Sequence, residues 1–295
     1  MDGRWIDSRY IGESESERKK HNCCVVGKRP TTSSPAIFLR NWIIHRTFYS
    51  RTMSSLATPH PLADSTITYF PLPGRAEPLR LCFIINHINF NDQRIPGKTW
   101  QSMKADSPWG SMPYLTLPDK TTRLGQSHAQ FRFVAKHTQL YPEDPLAAAR
   151  VDELMDALED VGKINGVGRG LEKDAKNAAR LAAVTGPEGA TFKVLAKIDA
   201  FIRDNGDGAG GHSVGSSLTI ADLYVFSASS MLGSGFFDGV PPTVTDSFQY
   251  ISAVRKAVSS INAVQAHYAN PEGKNDYCIN IEKHFAAAKD LVVNI

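Results

Sequence analysis

Cysteine is scarce in this 295-residue chain, Cys-x-x-Cys is absent, and no Asn-x-Ser/Thr acceptor occurs. The four cysteines, Cys23, Cys24, Cys82 and Cys278, form neither a secreted disulfide framework nor a zinc-ligand spacing. A reducing, intracellular compartment is expected from these absences. Without a Cys-x-x-Cys pair, thiol-disulfide exchange by paired thiols is disfavoured. Acidic residues are missing over a long stretch as well, from Arg18 to Ala63. What remains is ordinary for a water-soluble globular chain, 42% hydrophobic and 21% charged, which argues against membrane spans and whole-chain disorder. The formal net charge is +3, but residues 1–60 hold ten Lys/Arg against five Asp/Glu, so the rest carries 23 against 25. A near-neutral body has no field that would recruit nucleic acid, and neither nucleic acid nor a membrane is expected as a partner.

Residues 1–64 form a separate problem. Their Arg/Ser/Thr composition and lack of acid after Glu17 are like an organelle transit peptide, whereas Asp2, Asp7, Glu13, Glu15 and Glu17 are unlike one. Met53 is the alternative start and would leave 243 residues. Disorder is expected here under either reading.

Residues 65–142 mix strand and helix patterns. Thr66–Phe70 reads as a strand, Pro71–Gly74 as a loop, and Glu77–Ile85 as a helix with proline in its first turn. Asn89–Ile95 reads as a second strand, followed by a short or irregular helix. Met112–Leu117 and Thr121–Leu124 form a hairpin around a polar turn. Gln126 to His137 reads as a helix with Ala129, Phe131, Phe133 and Val134 on its apolar face. Residues 146–295 have almost no strand pattern; Leu146–Val161, Asn177–Ala183, Phe192–Ile202, Thr219–Met231, Asp246–Ser259 and Ala263–Ala269 read as helices. Thr219-Ile220-Ala221-Asp222 is a capping box ahead of a buried helix.

The string Tyr69-Phe70-Pro71-Leu72-Pro73-Gly74-Arg75-Ala76-Glu77, then Ser111-Met112-Pro113-Tyr114-Leu115, Gln126-Ser127-His128-Ala129 and Thr219-Ile220-Ala221-Asp222-Leu223, occur in one order. Together they resemble a cytosolic glutathione S-transferase, most like the sigma class, over about residues 66–270. The resemblance implies α/β plus all-α architecture: an N-terminal thioredoxin-like βαβ-ββα domain at 65–142 and an all-helical C-terminal domain at 146–295 carrying the electrophile site. It also implies a twofold homodimer, with reduced glutathione as co-substrate and a hydrophobic electrophile as second substrate.

The chemistry that the resemblance implies begins at the thiol. Free thiols titrate near ~8.5, so only about 3% of glutathione is thiolate at pH ~7. Tyr69 would donate a hydrogen bond from its phenolic O–H to the sulfur, and Arg75 would help hold Tyr69 and the anion; these two are the catalytic candidates. Trp100 and Lys104 would contact the glycine carboxylate, although a solvated lysine is the commoner outcome for a residue like Lys104. Pro113 would be a cis-proline presenting the Met112 backbone to the cysteinyl amide. Gln126 and Ser127, at a helix start, would bind the γ-glutamyl carboxylate through free N–H groups and the dipole. Asp160 would reach the glutathione amine across the dimer interface. Asp156, Glu159 and Asp160 also resemble a divalent-cation site of some sigma members, but a face of acids is usually solvated and no metal is expected.

Other matches carry less. Gly206–Gly211 fits GxGxxG, but no strand precedes it, so it reads as a linker. His87, His128 and His137 show no paired carboxylates or ligand spacing. Glycines at 162–170 and 186–189 obscure the electrophile wall. Conjugation of hydrophobic electrophiles, as in detoxification, is the main expectation. A prostaglandin-synthase-type isomerase and a non-catalytic glutathione-binding or structural homologue are the alternatives. A cytoplasmic address is expected, with mitochondrion or plastid as the alternative if residues 1–52 are a transit peptide.

Overall fold

The computed structural model describes residues 58–269, so expectations for residues 1–57 and for the end of the helical domain beyond residue 269 lie outside the described residues. A four-stranded mixed sheet has the order β2-β1-β3-β4. Strand β1 (Ser65–Tyr69) is parallel to β2 (Phe90–Arg94) and antiparallel to β3 (Tyr114–Thr116), which pairs antiparallel with β4 (Arg123–Leu124). The β-branched residues of Ser65-Thr-Ile-Thr-Tyr69 suit a central strand covered on both faces. The polar Phe90-Asn-Asp-Gln-Arg94 lies at the sheet edge, where most of its side chains meet solvent.

Helix α1 (Glu77–Ile85) has the predicted bounds, with Pro78 where its missing N–H costs nothing. Leu79, Leu81, Cys82 and Phe83 are fully buried around most of its circumference. That burial follows from its packing against α3 (Ser127–His137), α7 (Ile220–Leu232) and α9 (Asn262–Tyr268). Even its charges are inside. Arg80 donates to Glu77 at 2.9 Å, to Asp92 at 3.0 Å, and to the carbonyls of Leu72 and Pro73 at 3.2 and 3.0 Å. Tyr268 donates to Glu77 at 2.6 Å. This paired cluster fastens the loop after β1 to the edge strand and to the last described helix.

Between β2 and β3 lie α2 (Gly97–Met103) and two 3₁₀ turns, matching the short, irregular helix expected. In α3 the apolar face differs from the prediction. Phe131, Val134, Ala135 and Gln130 are buried, whereas Ala129 is exposed and Phe133 is half-buried. The reason is that Gln130 turns inward to bind a backbone carbonyl, which rotates the buried stripe by about one residue.

The helical half contains α4 (Pro145–Leu158), α5 (Lys173–Val184), α6 (Ala190–Asn205), α7, α8 (Gln249–Ser259) and α9. The predicted helix Leu146–Val161 does not run through: α4 stops at Leu158 and tightens into a 3₁₀ segment, Glu159–Gly166, where Gly162 and Gly166 weaken the α-form. Residues 246–248, predicted as the start of α8, are not helical: 246 and 247 are turn and Phe248 is extended. The capping box is present, and the buried Asp222 carboxylate accepts the Thr219 N–H at 2.7 Å and the Ser213 N–H at 2.6 Å. Helix α7 is buried nearly all round, as expected, and Ser227 and Ser229 return their hydroxyls to carbonyls one turn back. Gly206–Gly211 follows a helix, not a strand, and holds a 3₁₀ turn at Gly208–Gly210.

Candidate functional site

Strand direction gathers the predicted residues at one end of the sheet. Tyr69 ends β1 and pairs in register with Arg94, which ends the parallel β2 and leads to α2 with Trp100. The pair Thr68–Tyr114 sets Pro113, just before β3, beside Tyr69. Strand β4 runs back along β3 to the same end and delivers Gln126 and Ser127. One end of the sheet therefore collects residues that are more than fifty positions apart.

Tyr69 is buried at 7% exposure, and its hydroxyl oxygen accepts the Arg75 backbone N–H at 3.3 Å. Burial raises its pKa, against the lowering effects of that N–H and of the Arg75 and Arg80 charges. The phenol thus stays protonated, and because its oxygen is the acceptor toward Arg75, its own proton is available to another acceptor. Gly74 makes this approach possible: with φ +47°, a Cβ there would stand 2.6 Å from Leu72 Cδ1 and 2.9 Å from the Tyr69 hydroxyl.

Arg75 points its guanidinium at Glu159, donating at 2.8 and 2.6 Å to its two oxygens. With Arg75 half exposed, the pair is screened by water and matters more for position than for stability. Glu159 also accepts the Tyr224 hydroxyl at 2.5 Å, and His128 Nε2 stands 3.1 Å from it. Burial would raise the Glu159 pKa, but His128, Arg75 and Tyr224 together hold it well below the usual carboxylate range. Burial, then the adjacent Glu159, push the Tyr224 phenol up, so it remains a donor.

Of the other predicted residues, Met112–Pro113 is a cis peptide, and the Pro113 carbonyl accepts Gln130 Nε2 at 2.8 Å. Gln126, at φ +61°, is the turn residue before α3, and Ser127 is its first residue. A positive φ at a non-glycine residue is sparsely populated and is held here by the strand-to-helix junction. Trp100 is buried with Ile95 and Tyr114 and meets the Phe70 ring edge-on at 6.3 Å. Lys104 is exposed on a 3₁₀ turn. Asp160 faces away from Tyr69: it pairs with Lys163 at 2.7 Å and lines a separate cavity of about 240 Å³ between α4 and α6.

Two side chains were missed by reading the sequence for roles. Tyr224 was visible only as part of the capped helix, and Gln130 has no sequence signal. The reading that His128 lacks paired carboxylates is overturned: its Nδ1 lies 2.9 Å from Asp156 and its Nε2 3.1 Å from Glu159. The chain separation of 28 residues hid the pairing with Asp156, although 156 and 159 sharing one face of the predicted helix Leu146–Val161 was a usable hint. Arg132 adds a guanidinium, 2.7 Å from Asp152 and 3.3 Å from Asp156. Asp156 and Glu159 thus share His128, while Asp160 turns to Lys163. Among the described residues no group of three or more His, Cys, Asp or Glu is gathered for a metal ion.

Tyr69, Arg75 and Glu159 share the wall of a cavity of about 270 Å³ with Phe70, Leu72, Leu158, Val161, Tyr224, Met231 and Phe236. Its surface is mainly apolar, with one internally paired polar patch and a buried phenol. Such a site can shelter a hydrophobic molecule beside a hydrogen-bond donor suited to an anion.

Comparison with known proteins gives a consistent relation. A family model described as "Glutathione S-transferase, C-terminal domain" matches residues 169–271. "Probable glutathione S-transferase 6" of Caenorhabditis elegans is 28% identical over 209 residues, 69% of this chain and 95% of the relative. "Hematopoietic prostaglandin D synthase" of Gallus gallus is 29% identical over 202 residues, 68% of this chain and 92% of that protein. Among solved structures, monomeric Na-GST-3, a glutathione S-transferase from the hookworm Necator americanus, has a TM-score of 0.57 at 28% identity, covering 69% of this chain and 95% of that one.

Proposed function

Because this chain belongs to the glutathione S-transferase family, of the cytosolic type, we propose that Tyr69 is the group that makes its bound glutathione reactive. The protein is a transferase that conjugates glutathione with electrophiles. In our reading the Tyr69 O–H donates a hydrogen bond to the glutathione sulfur and keeps its proton. A hydrogen bond to an anion is worth roughly 1.5–3 kcal/mol, or about one to two pKa units, enough to make thiolate a major species near neutrality. The observation that carries this reading is the protonated, buried Tyr69 hydroxyl whose acceptor side is already taken by Arg75 N–H.

Glutathione would lie along the sheet end, with its cysteinyl amide paired to the Met112 backbone before Pro113. Its γ-glutamyl carboxylate would sit at Gln126 and Ser127, where α3 offers unpaired N–H groups. Its glycine end would lie toward Trp100 and Lys104. The sulfur would attack an electrophile held against Phe70, Leu158 and Met231, forming a carbon–sulfur bond as the leaving group departs with its electron pair. A sigma-like class and a homodimer belong to the same proposal. In the dimer Asp160 would exchange Lys163 for the glutathione amine of the neighbouring subunit. Among the described residues no helix is long and apolar enough to cross a membrane; a cytoplasmic address is part of the proposal.

Similarity to a prostaglandin D synthase supports a second reading, in which the thiolate attacks transiently and glutathione is regenerated. Incubation with glutathione and chlorodinitrobenzene, following both the conjugate and the remaining glutathione, separates the two. Conjugate formed mole for mole with glutathione consumed is the expected result. Retention on immobilised glutathione without any conjugate would transfer the proposal to the isomerase or to a non-catalytic binder.

A further inference from the structure

We propose that Glu159 makes the electrophile site selective for uncharged electrophiles by occupying Arg75, the cation that would otherwise receive a carboxylate. This rests on reading the Tyr69 cavity as the electrophile site. Arg75 and Glu159 are the charged groups among the described residues that line it. Both terminal nitrogens of Arg75 are committed, at 2.8 and 2.6 Å, to the two oxygens of Glu159.

Glu159 cannot readily swing aside to release its partner. The Tyr224 hydroxyl holds it at 2.5 Å, and His128, itself 2.9 Å from Asp156, stands 3.1 Å away. An incoming carboxylate would have to displace an anchored anion from its cation and then sit beside it. Two like charges a few ångströms apart in a partly dry site disfavour that exchange. The remaining wall carries no charge: Phe70, Leu72, Val161 and Phe236 offer dispersion and apolar burial, and Asn165 and Ser227 add neutral polar groups. At about 270 Å³ the cavity is also smaller than the ~300–1,000 Å³ typical of sites for drug-sized ligands. Compact, neutral electrophiles fit it on both counts.

The test uses the full chain and two electrophiles that differ at one group: chlorodinitrobenzoate and its methyl ester. Each kcat/KM is divided by the uncatalysed rate with glutathione, which removes the difference in intrinsic reactivity. The ester is expected to be favoured by about tenfold or more. In Glu159→Gln, the negative charge is gone and Arg75 is left as an available cation, so the ester-to-acid ratio is expected to fall by about tenfold. The ratio cancels any general loss of turnover in the variant. If Glu159→Gln does not fold, Glu159→Asp keeps the charge but withdraws it from two-point contact with Arg75, and the ratio should move the same way by a smaller factor. Equal use of acid and ester by the unmodified protein, or a ratio unmoved in the folded variant, overturns the proposal while leaving conjugation intact. Conjugation of neither compound removes the electrophile-site reading, and this inference with it.

Discussion

Replacing Tyr69 by phenylalanine deletes one oxygen and keeps the ring that packs against Phe70 at 5.4 Å. Two interactions go with that oxygen. The Arg75 N–H loses its acceptor at 3.3 Å, a long neutral hydrogen bond worth about 0.5–1 kcal/mol of stability. The donor to the glutathione sulfur is lost as well, at roughly 1.5–3 kcal/mol, so the bound thiol should titrate about one to two units higher. At pH ~6.5, where the thiol then lies well above the solution pH, kcat/KM for chlorodinitrobenzene should fall about ten- to hundredfold. At pH ~9 free glutathione is largely thiolate without help, and the two proteins should converge to within a few-fold. The assay is a pH series of initial rates for both proteins, with circular dichroism to establish that the variant is folded. A gap of the same size at both pH values would refute thiolate stabilisation as the role of the hydroxyl, and no gap at pH ~6.5 would remove Tyr69 from the chemistry.

Gly74→Ala should lower turnover at least tenfold in the same assay, because its Cβ would displace Leu72 or the Tyr69 hydroxyl at a backbone of φ +47°. Glu77→Gln should lower stability in urea unfolding by about 3 kcal/mol, since it leaves Arg80 buried with only Asp92 as a charged partner. The Glu77 pKa is depressed in the fold: burial opposes this, but His267, Arg80 and Tyr268 outweigh it. Its stabilisation is therefore present above the ordinary glutamate value of about 4.3 and is lost as pH falls below it. Unfolding midpoints across that range should drop more steeply for the unmodified protein than for Glu77→Gln. Burial pushes the Cys82 thiol far up, so peptide-resolved alkylation should label Cys82 only at the rate of unfolding; rapid labelling in the native protein would contradict its place in the core.

Much of this protein could be read directly from its residues where the signal is local. Thr66-Ile67-Thr68-Tyr69 followed by Pro-rich loop and Glu77–Ile85 specifies a strand, a turn and a helix within twenty residues, because alternation, proline placement and helical spacing act on neighbouring backbone. Thr219 and Asp222 mark the start of α7 for the same reason, since a capping box closes on itself within one turn. Met112-Pro113 and Gln126-Ser127 were identified as motifs, and the structure sets them at the same sheet end as Tyr69.

Tertiary structure decided who meets whom. Glu159 lies 84 residues from Arg75 and 65 from Tyr224, and helical periodicity could say which face of the predicted helix it occupies but not what packs there. The stop of α4 at Leu158, one residue before Glu159, also depends on the glycines that follow and on the helices that surround it. His128 read as an unpartnered histidine until α3 was laid against α4, and nothing in the sequence marked Gln130, whose amide meets the Pro113 carbonyl. Hydrophobic patterning directs side chains inward by type, whereas the pairing of buried charges is settled only when separate elements converge and each desolvated group must find a partner.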